Sequence, residues 1–178
     1  MDPQRYRNFY VKIGRLDSSG SAQTMIWGTT PSQVVTDPVT VKFNSGNFTF
    51  SDAGGPINLL DSVKRRQVKD EYLYRLGSLL SDLALPGKIR DVLLQSLDTV
   101  RSNKQRLRLR LIVEDPILAP LPWEFLYLER SPGAQNLPDF LVLNPDISLA
   151  RLGAANVRDQ AFPSGGKYRL TAALASPK

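Results

Sequence analysis

The 178-residue sequence contains no cysteine and no histidine. These absences exclude a Ser-His-Asp triad, a Cys-His dyad, a Cys/His zinc site and an imidazole general base from this chain. We therefore expect no catalytic residue, no metal site and no cofactor within these residues. Because the absence of cysteine suits a reducing compartment, we also expect a cytoplasmic protein.

Long apolar segments are missing as well. Residues 1–10 lack the apolar core of a secretion signal, and no uninterrupted apolar run approaches the roughly 18 residues of a membrane-spanning helix. The sequence therefore predicts neither secretion nor a membrane partner.

The formal net charge is +6, which raises the question of a nucleic-acid partner. The excess is spread along the chain, at +1 in residues 1–56, +3 in residues 57–105 and +2 in residues 106–178. Because no segment concentrates the charge, a mildly basic solvated surface is the better interpretation.

Strand formers dominate the first third of the chain. Residues 9–16, 24–27 and 39–43 are separated by clusters of Gly, Ser, Asn and Pro, a pattern typical of a small antiparallel sheet. Residues 51–56 form a Gly-rich break. The sequence therefore predicts a β-rich N-terminal region over residues 1–56.

The middle of the chain predicts two amphipathic helices. Apolar residues recur at three- and four-residue spacing on both sides of the break Pro86-Gly87. They are Val68, Tyr72, Leu76, Leu79, Leu80 and Leu83 before the break, and Ile89, Leu93, Leu97 and Val100 after it. We expect Asp61 or Ser62 to cap the first helix, and the helix pair to pack on a sheet.

The last third returns to strand patterns. We expect strands at residues 106–113, 125–128, 140–143 and 147–152, then a polar linker over residues 156–167. Residues 168–175 are small or apolar on both faces, as in a buried strand of an α/β sheet. Because the sequence offers no later partner for such a strand, we expect the 178 residues to be the front part of a longer protein.

These patterns predict an α/β fold, of α+β character in its N-terminal part. The predicted regions are the β-rich residues 1–56, the helix pair and β-hairpin of residues 57–155, and the linker and first core strand of residues 156–178.

Two candidate sites are weak. Gly165-Gly166-Lys167 lacks the earlier glycine and the following Ser or Thr of a phosphate loop. Among Glu114, Asp115 and Glu124, two acids could hold Mg²⁺ or act as an acid/base pair, but an Asp-Pro dipeptide at a strand end favours turn chemistry.

Two basic groups stand out. Arg106, Arg108 and Arg110 alternate with leucines, so in a strand they share one face. They could contact a partner or an anion, although a half-exposed strand is the simpler interpretation, and no aromatic residue is interleaved with them. The second group, Lys64, Arg65, Arg66 and Lys69, is typical of a solvated helix face paired with Asp61 and Asp70.

The most distinctive stretch contains Leu121, Pro122, Trp123 and Glu124. Pro122 interrupts a strand, and Trp123 would bury a large apolar area if its N–H found an acceptor. Glu124 needs a cationic partner if it is buried, and Arg151 could serve. We interpret these four residues as a structural knuckle.

Residues 106–128 read RLRLRLIVEDPILAPLPWEFLYL and resemble the front of the CHAT domain, a family of caspase-like cysteine peptidases. The resemblance extends over residues 57–178. The helix pair resembles the helices before that strand, residues 140–152 resemble the hairpin after the knuckle, and residues 168–178 resemble the first central strand of the family's core. Residues 1–56 match only a loose β-rich preamble.

The resemblance implies an α/β sandwich whose catalytic His and Cys follow later strands, so none of them can be assigned to this chain. It predicts the N-terminal, non-catalytic portion of a CHAT-type caspase-like protease in bacterial antiviral defence or programmed cell death. This portion would support the peptidase core and bind a partner or sensor.

The expected partners are the remainder of the protein or a second fragment of it, a sensor or protein substrate, and further copies in an oligomer. Nucleic acid is not expected as a direct partner. Two alternatives stay open, a stand-alone protein-interaction scaffold without peptidase activity and a nucleotide- or nucleic-acid-responsive module. Steep salt dependence of binding would distinguish the last from the others.

Overall fold

A computed structural model describes residues 6–52, 55–66, 69–129 and 137–153. Within them the chain is mixed α/β, as the sequence predicts. The elements are β1 Tyr6–Ile13, β2 Ser21–Ile26, β3 Val39–Lys42, β4 Thr49–Asp52, β5 Gly55–Asn58, α1 Leu59–Lys64, α2 Asp70–Ala84, α3 Lys88–Ser102, β6 Arg106–Val113 and β7 Ile147–Gly153. The predicted linker and strand at residues 156–175 lie outside the described residues.

One five-stranded sheet organises the molecule, in the order β3-β2-β1-β6-β7. The strands β1, β2 and β3 are antiparallel, whereas β6 is parallel to β1 and β7 is parallel to β6. The antiparallel sheet predicted for the first third of the chain is therefore part of a larger mixed sheet. Because β6 and β7 belong to it, this sheet extends beyond the predicted boundary at residue 56. The hairpin of β4 and β5 forms a separate two-stranded sheet.

The helices α2 and α3 cover one face of this sheet. Their apolar stripes are buried against alternate residues of β1 and β6, which begin with Phe9 and Leu107. The break at Pro86-Gly87 is confirmed, since α2 ends at Ala84 and α3 begins at Lys88. Gly87 has a φ of +47°, a left-handed value that glycine adopts without strain. Thr24 of β2 donates a hydrogen bond to the Leu83 carbonyl and attaches the end of α2 to the sheet.

The predicted cap of the long helix is wrong. Asp61 and Ser62 lie inside the separate short helix α1, and the capping residue of α1 is Asn58. The Asn58 side-chain oxygen accepts hydrogen bonds from the backbone N–H groups of Leu60 and Asp61. The long helix begins only at Asp70, after Lys69, which makes no side-chain cap hydrogen bond.

The strands predicted at residues 125–128 and 140–143 are also wrong. Trp123–Phe125 and Leu141–Leu143 are short 3-10 helices, joined by a single bridge between Tyr127 and Phe140. Local turn hydrogen bonds, such as Phe125 N–H to Pro122 O at 3.0 Å, use the donors that a strand ladder would need. Tight turns therefore reduce the pairing of these two segments to that one bridge.

Candidate functional site

The strand β6 has two chemically different faces. Leu107, Leu109 and Leu111 are buried under the helices, whereas Arg106, Arg108 and Arg110 are half-buried on the opposite side. This separation confirms the prediction from the alternating sequence.

The parallel register of β1 and β6 places aromatic residues beside these arginines. Tyr6 pairs with Arg106 and Tyr10 pairs with Arg110. The guanidinium carbon of Arg108 lies 4.8 Å from the Tyr6 ring centroid, and that of Arg110 lies 5.4 Å from the Tyr10 ring centroid. Both are cation–π distances. We call Tyr6, Tyr10, Arg106, Arg108 and Arg110 the arginine–tyrosine face.

No aromatic residue is interleaved with the arginines along β6, as the sequence shows, yet the folded sheet places two beside them. The aromatic residues come from β1, so the arginine stripe alone could not reveal them. The signal was the same period-two spacing in β1, where the half-buried Tyr6, Asn8 and Tyr10 occupy alternate positions.

The arginine–tyrosine face is electropositive. Within the ranges that the structure describes, no carboxylate forms an ion pair with Arg106, Arg108 or Arg110. The Nε atom of Arg110 is buried and has no hydrogen-bond partner among the described residues. The nearest acidic group along the strand, Glu114, pairs with Lys12 at 2.9 Å. The face can therefore offer guanidinium N–H groups to an anionic ligand.

The tyrosine rings of this face already contact other side chains of the chain. Arg108 and Arg110 lie over the rings of Tyr6 and Tyr10, and Trp27 meets Tyr10 edge-on with 6.0 Å between ring centroids. The face is thus built to hold guanidinium groups in position more than to present open aromatic surfaces.

The knuckle is packed into the core through Leu121 and Trp123. Trp123 is fully buried, and its indole N–H donates a hydrogen bond to the Leu118 carbonyl at 3.1 Å. Leu121 is buried and Pro122 is half-buried. Glu124 is exposed and pairs with Arg151 at 3.0 Å, the partner that the sequence suggested.

Asp115 organises the turn before the knuckle. Its carboxylate accepts hydrogen bonds from the backbone N–H groups of Leu16, Ile117 and Leu118, at 2.8 to 3.1 Å. Burial raises the pKa of Asp115, but these three donors and the charge of Arg15 outweigh it, so the pKa lies below its ordinary value. This arrangement confirms turn chemistry as the role of Asp115.

The remaining candidates do not build a site. The basic cluster lies on and beside α1, where Lys64 is 3.9 Å from Asp61. Gly165-Gly166-Lys167 lies outside the described residues. Within the described residues, no three metal-ligating side chains come together. No helix among them combines the length and the apolar character needed to cross a membrane.

No protein-family model, no curated protein and no solved structure matches this chain.

Proposed function

We propose that this chain is a non-catalytic docking module, the N-terminal portion of a CHAT-type caspase-like protease. In this role the sheet supports the peptidase core and a partner or sensor binds beside it. The observation that carries the proposal is the sheet itself, whose parallel strands have a helical layer on one face only among the described elements.

Physical chemistry supports a second layer on this sheet. Parallel strands almost always have both faces covered, because their connections place helices on the sheet. The arginine–tyrosine face is the face without a described helix, and its arginines lack carboxylate partners in the described ranges. A docking partner would supply the missing cover.

The strand β7 supports the same proposal. It is the last strand in the described sheet, so one of its two edges has no described neighbour. An unpaired edge can accept a further strand through backbone hydrogen bonds. Such a strand would come from the peptidase core, and residues 168–175 are the segment whose composition fits it.

A protein-interaction scaffold without peptidase activity would use the same two surfaces. A nucleotide- or nucleic-acid-responsive module is favoured by one observation, the three arginines of β6 that form no ion pair with a carboxylate of the described residues. Phosphate binding would weaken steeply with salt, whereas docking of a peptidase core through an apolar strand would not.

The test is to determine the intact reading frame and to co-express residues 1–178 with whatever the frame encodes after them. We expect a downstream His and a later Cys, co-purification of the two parts, and peptidase activity that falls when residues 1–178 are omitted. A reading frame without that His and Cys would overturn the peptidase proposal. Peptidase activity that is unchanged without residues 1–178 would overturn the supporting role.

A further inference from the structure

We infer that the arginine–tyrosine face binds an α-helix that carries a stripe of carboxylates. The inference rests on the proposed docking function and names the chemistry of the partner. It concerns the face formed by β1 and β6 and not the edge of β7.

The spacing of the arginines fits a helix. Alternate residues of a strand are about 6.7 Å apart, so Arg106 and Arg110 are separated by about 13 Å along β6. Residues four apart on a helix are separated by about 6 Å along its axis, and residues eight apart by about 12 Å. A helix aligned with β6 can therefore place acidic residues i, i+4 and i+8 opposite Arg106, Arg108 and Arg110.

The guanidinium groups are held in position for such a ligand. Cation–π contacts fix Arg108 over Tyr6 and Arg110 over Tyr10, so less side-chain entropy is lost when a carboxylate binds. The buried Nε of Arg110 has no hydrogen-bond partner in the structure. A carboxylate that binds a guanidinium group through two parallel hydrogen bonds would satisfy such an N–H once the Arg110 side chain turns it outward.

Other occupants fit this face less well. Residues 154–178 carry four basic side chains and one acidic side chain, so this segment does not complement the arginines. A second copy docked through the same face would bring the arginines against each other. Single-stranded nucleic acid stacks its bases on open aromatic rings, but those of Tyr6 and Tyr10 already contact Arg108 and Arg110.

The experiment uses the 178-residue chain and a fluorescent synthetic peptide of about 20 residues, long enough to form a helix. The peptide carries Glu at i, i+4 and i+8 on one side and helix-forming residues elsewhere. Binding is measured by fluorescence anisotropy at about 50 and 200 mM salt. Thermal melting of each variant verifies that it is folded.

We expect Arg108→Gln/Arg110→Gln to weaken peptide binding by about tenfold or more, because two charge-assisted contacts are lost. The matched control Lys64→Gln/Arg65→Gln removes the same charge from α1, so we expect less than about a twofold change. A peptide with Gln in place of the three Glu residues should lose affinity to a similar extent as the β6 variant.

Equal peptide binding by the parent chain and the Arg108→Gln/Arg110→Gln variant would overturn the inference. So would an equal effect of the control variant, since that would indicate net charge alone. Tighter binding of oligouridylate than of the peptide, lost in the β6 variant, would assign the face to nucleic acid instead. None of these results depends on a downstream His and Cys, so failure here is distinguishable from failure of the proposed protease.

Discussion

Gly77 of α2 and Tyr127 of the knuckle region lie so close that no side chain fits between them. A Cβ atom on Gly77 would lie 2.6 Å from the Tyr127 Cβ and would also clash with the Phe125 carbonyl oxygen. The Tyr127 N–H donates a hydrogen bond to Ser81 Oγ at 2.9 Å, one turn further along α2. The helix therefore packs directly on the backbone of the residues that follow the knuckle.

This contact predicts that Gly77→Ala destabilises the protein. Alanine raises intrinsic helix propensity by about 1 kcal/mol, but forcing a methyl group against a backbone carbonyl costs about 1–3 kcal/mol or more. We expect a net loss in the free energy of unfolding, measured by urea titration. Ser78→Ala, on the neighbouring half-buried position of α2, should change the stability little. A Gly77→Ala variant more stable than the parent would contradict the close packing.

Trp123→Ala should destabilise the fold strongly. Trp123 is fully buried, and truncating a buried aromatic residue typically costs about 3–5 kcal/mol. Trp123→Phe should lower the free energy of unfolding by less, because it keeps an aromatic ring in the core. Some loss should remain, since the Leu118 carbonyl no longer accepts the indole N–H. The matched control is Trp27→Ala, which should lower the stability less because Trp27 is 37% exposed. A melting temperature of Trp123→Ala within a degree or two of the parent would contradict the structural role.

Asp115 should make stability depend on acid pH. Its pKa is lower in the folded than in the unfolded protein, so its stabilising contribution is present above about pH 4, the usual unfolded-state pKa. That contribution is lost as the pH falls through the folded-state pKa. We expect Asp115→Asn to lower the free energy of unfolding at neutral pH by about 1–3 kcal/mol and to flatten its decline in acid. Urea unfolding across a pH series measures both effects.

The control for this pH series is Asp37→Asn, which removes an exposed carboxylate. Its free energy of unfolding at neutral pH should stay close to that of the parent. An Asp115→Asn variant with the same acid dependence as the parent would show that the three backbone donors do not stabilise the ionised carboxylate.

Local patterns in the sequence predicted part of this fold correctly. The Arg-Leu alternation, followed by two apolar residues, predicted the observed limits of β6, Arg106–Val113, because side-chain alternation in a strand is a local property. The apolar stripe around Leu93 likewise predicted α3. Helix capping was less predictable, since Asn58 and Asp61 have similar capping preferences and only the chain path decides between them.

The candidate site was harder to predict because it depends on non-local pairing. The arginine stripe was visible, but its tyrosines come from β1, and no local pattern specifies the register Tyr10 to Arg110. The aromatic run at residues 125–128 suggested a strand by composition. Its first two backbone donors instead bond within turns around Pro122, and the Tyr127 N–H bonds to Ser81 of α2, an effect of tertiary packing that propensity does not include.

The isolated 178-residue chain should hydrolyse no peptide bond. It contains no His and no Cys, and no spacing supports a Ser nucleophile with a Lys base. The assay is cleavage of protein and peptide substrates by purified chain, with a mock preparation as control. Cleavage that survives metal chelation and is absent from the mock preparation would contradict this prediction.

The segment at residues 168–175 should require partners that this chain does not supply. It lies outside the described residues, and the prediction comes from its small and apolar composition on both faces. In the isolated chain, the amides of residues 169–175 should exchange rapidly with deuterium or drive self-association. In the intact protein they should be among the slowest. Slow exchange in a demonstrably monomeric chain would show that the segment finds its hydrogen-bonding partners within the 178 residues, which would contradict this prediction.

The pairing of β1 with β6 also has a consequence for folding on the ribosome. Tyr6 and Arg106 are neighbours in the sheet, although a hundred residues separate them in the chain. At about 5–20 residues per second, synthesis of that stretch takes about 5–20 s. During this time β1 can pair with β2 but not with β6, so its other edge can bind a neighbouring nascent chain or a chaperone. A translational pause before residue 106 would therefore increase misassembly and leave the stability of the finished fold unchanged.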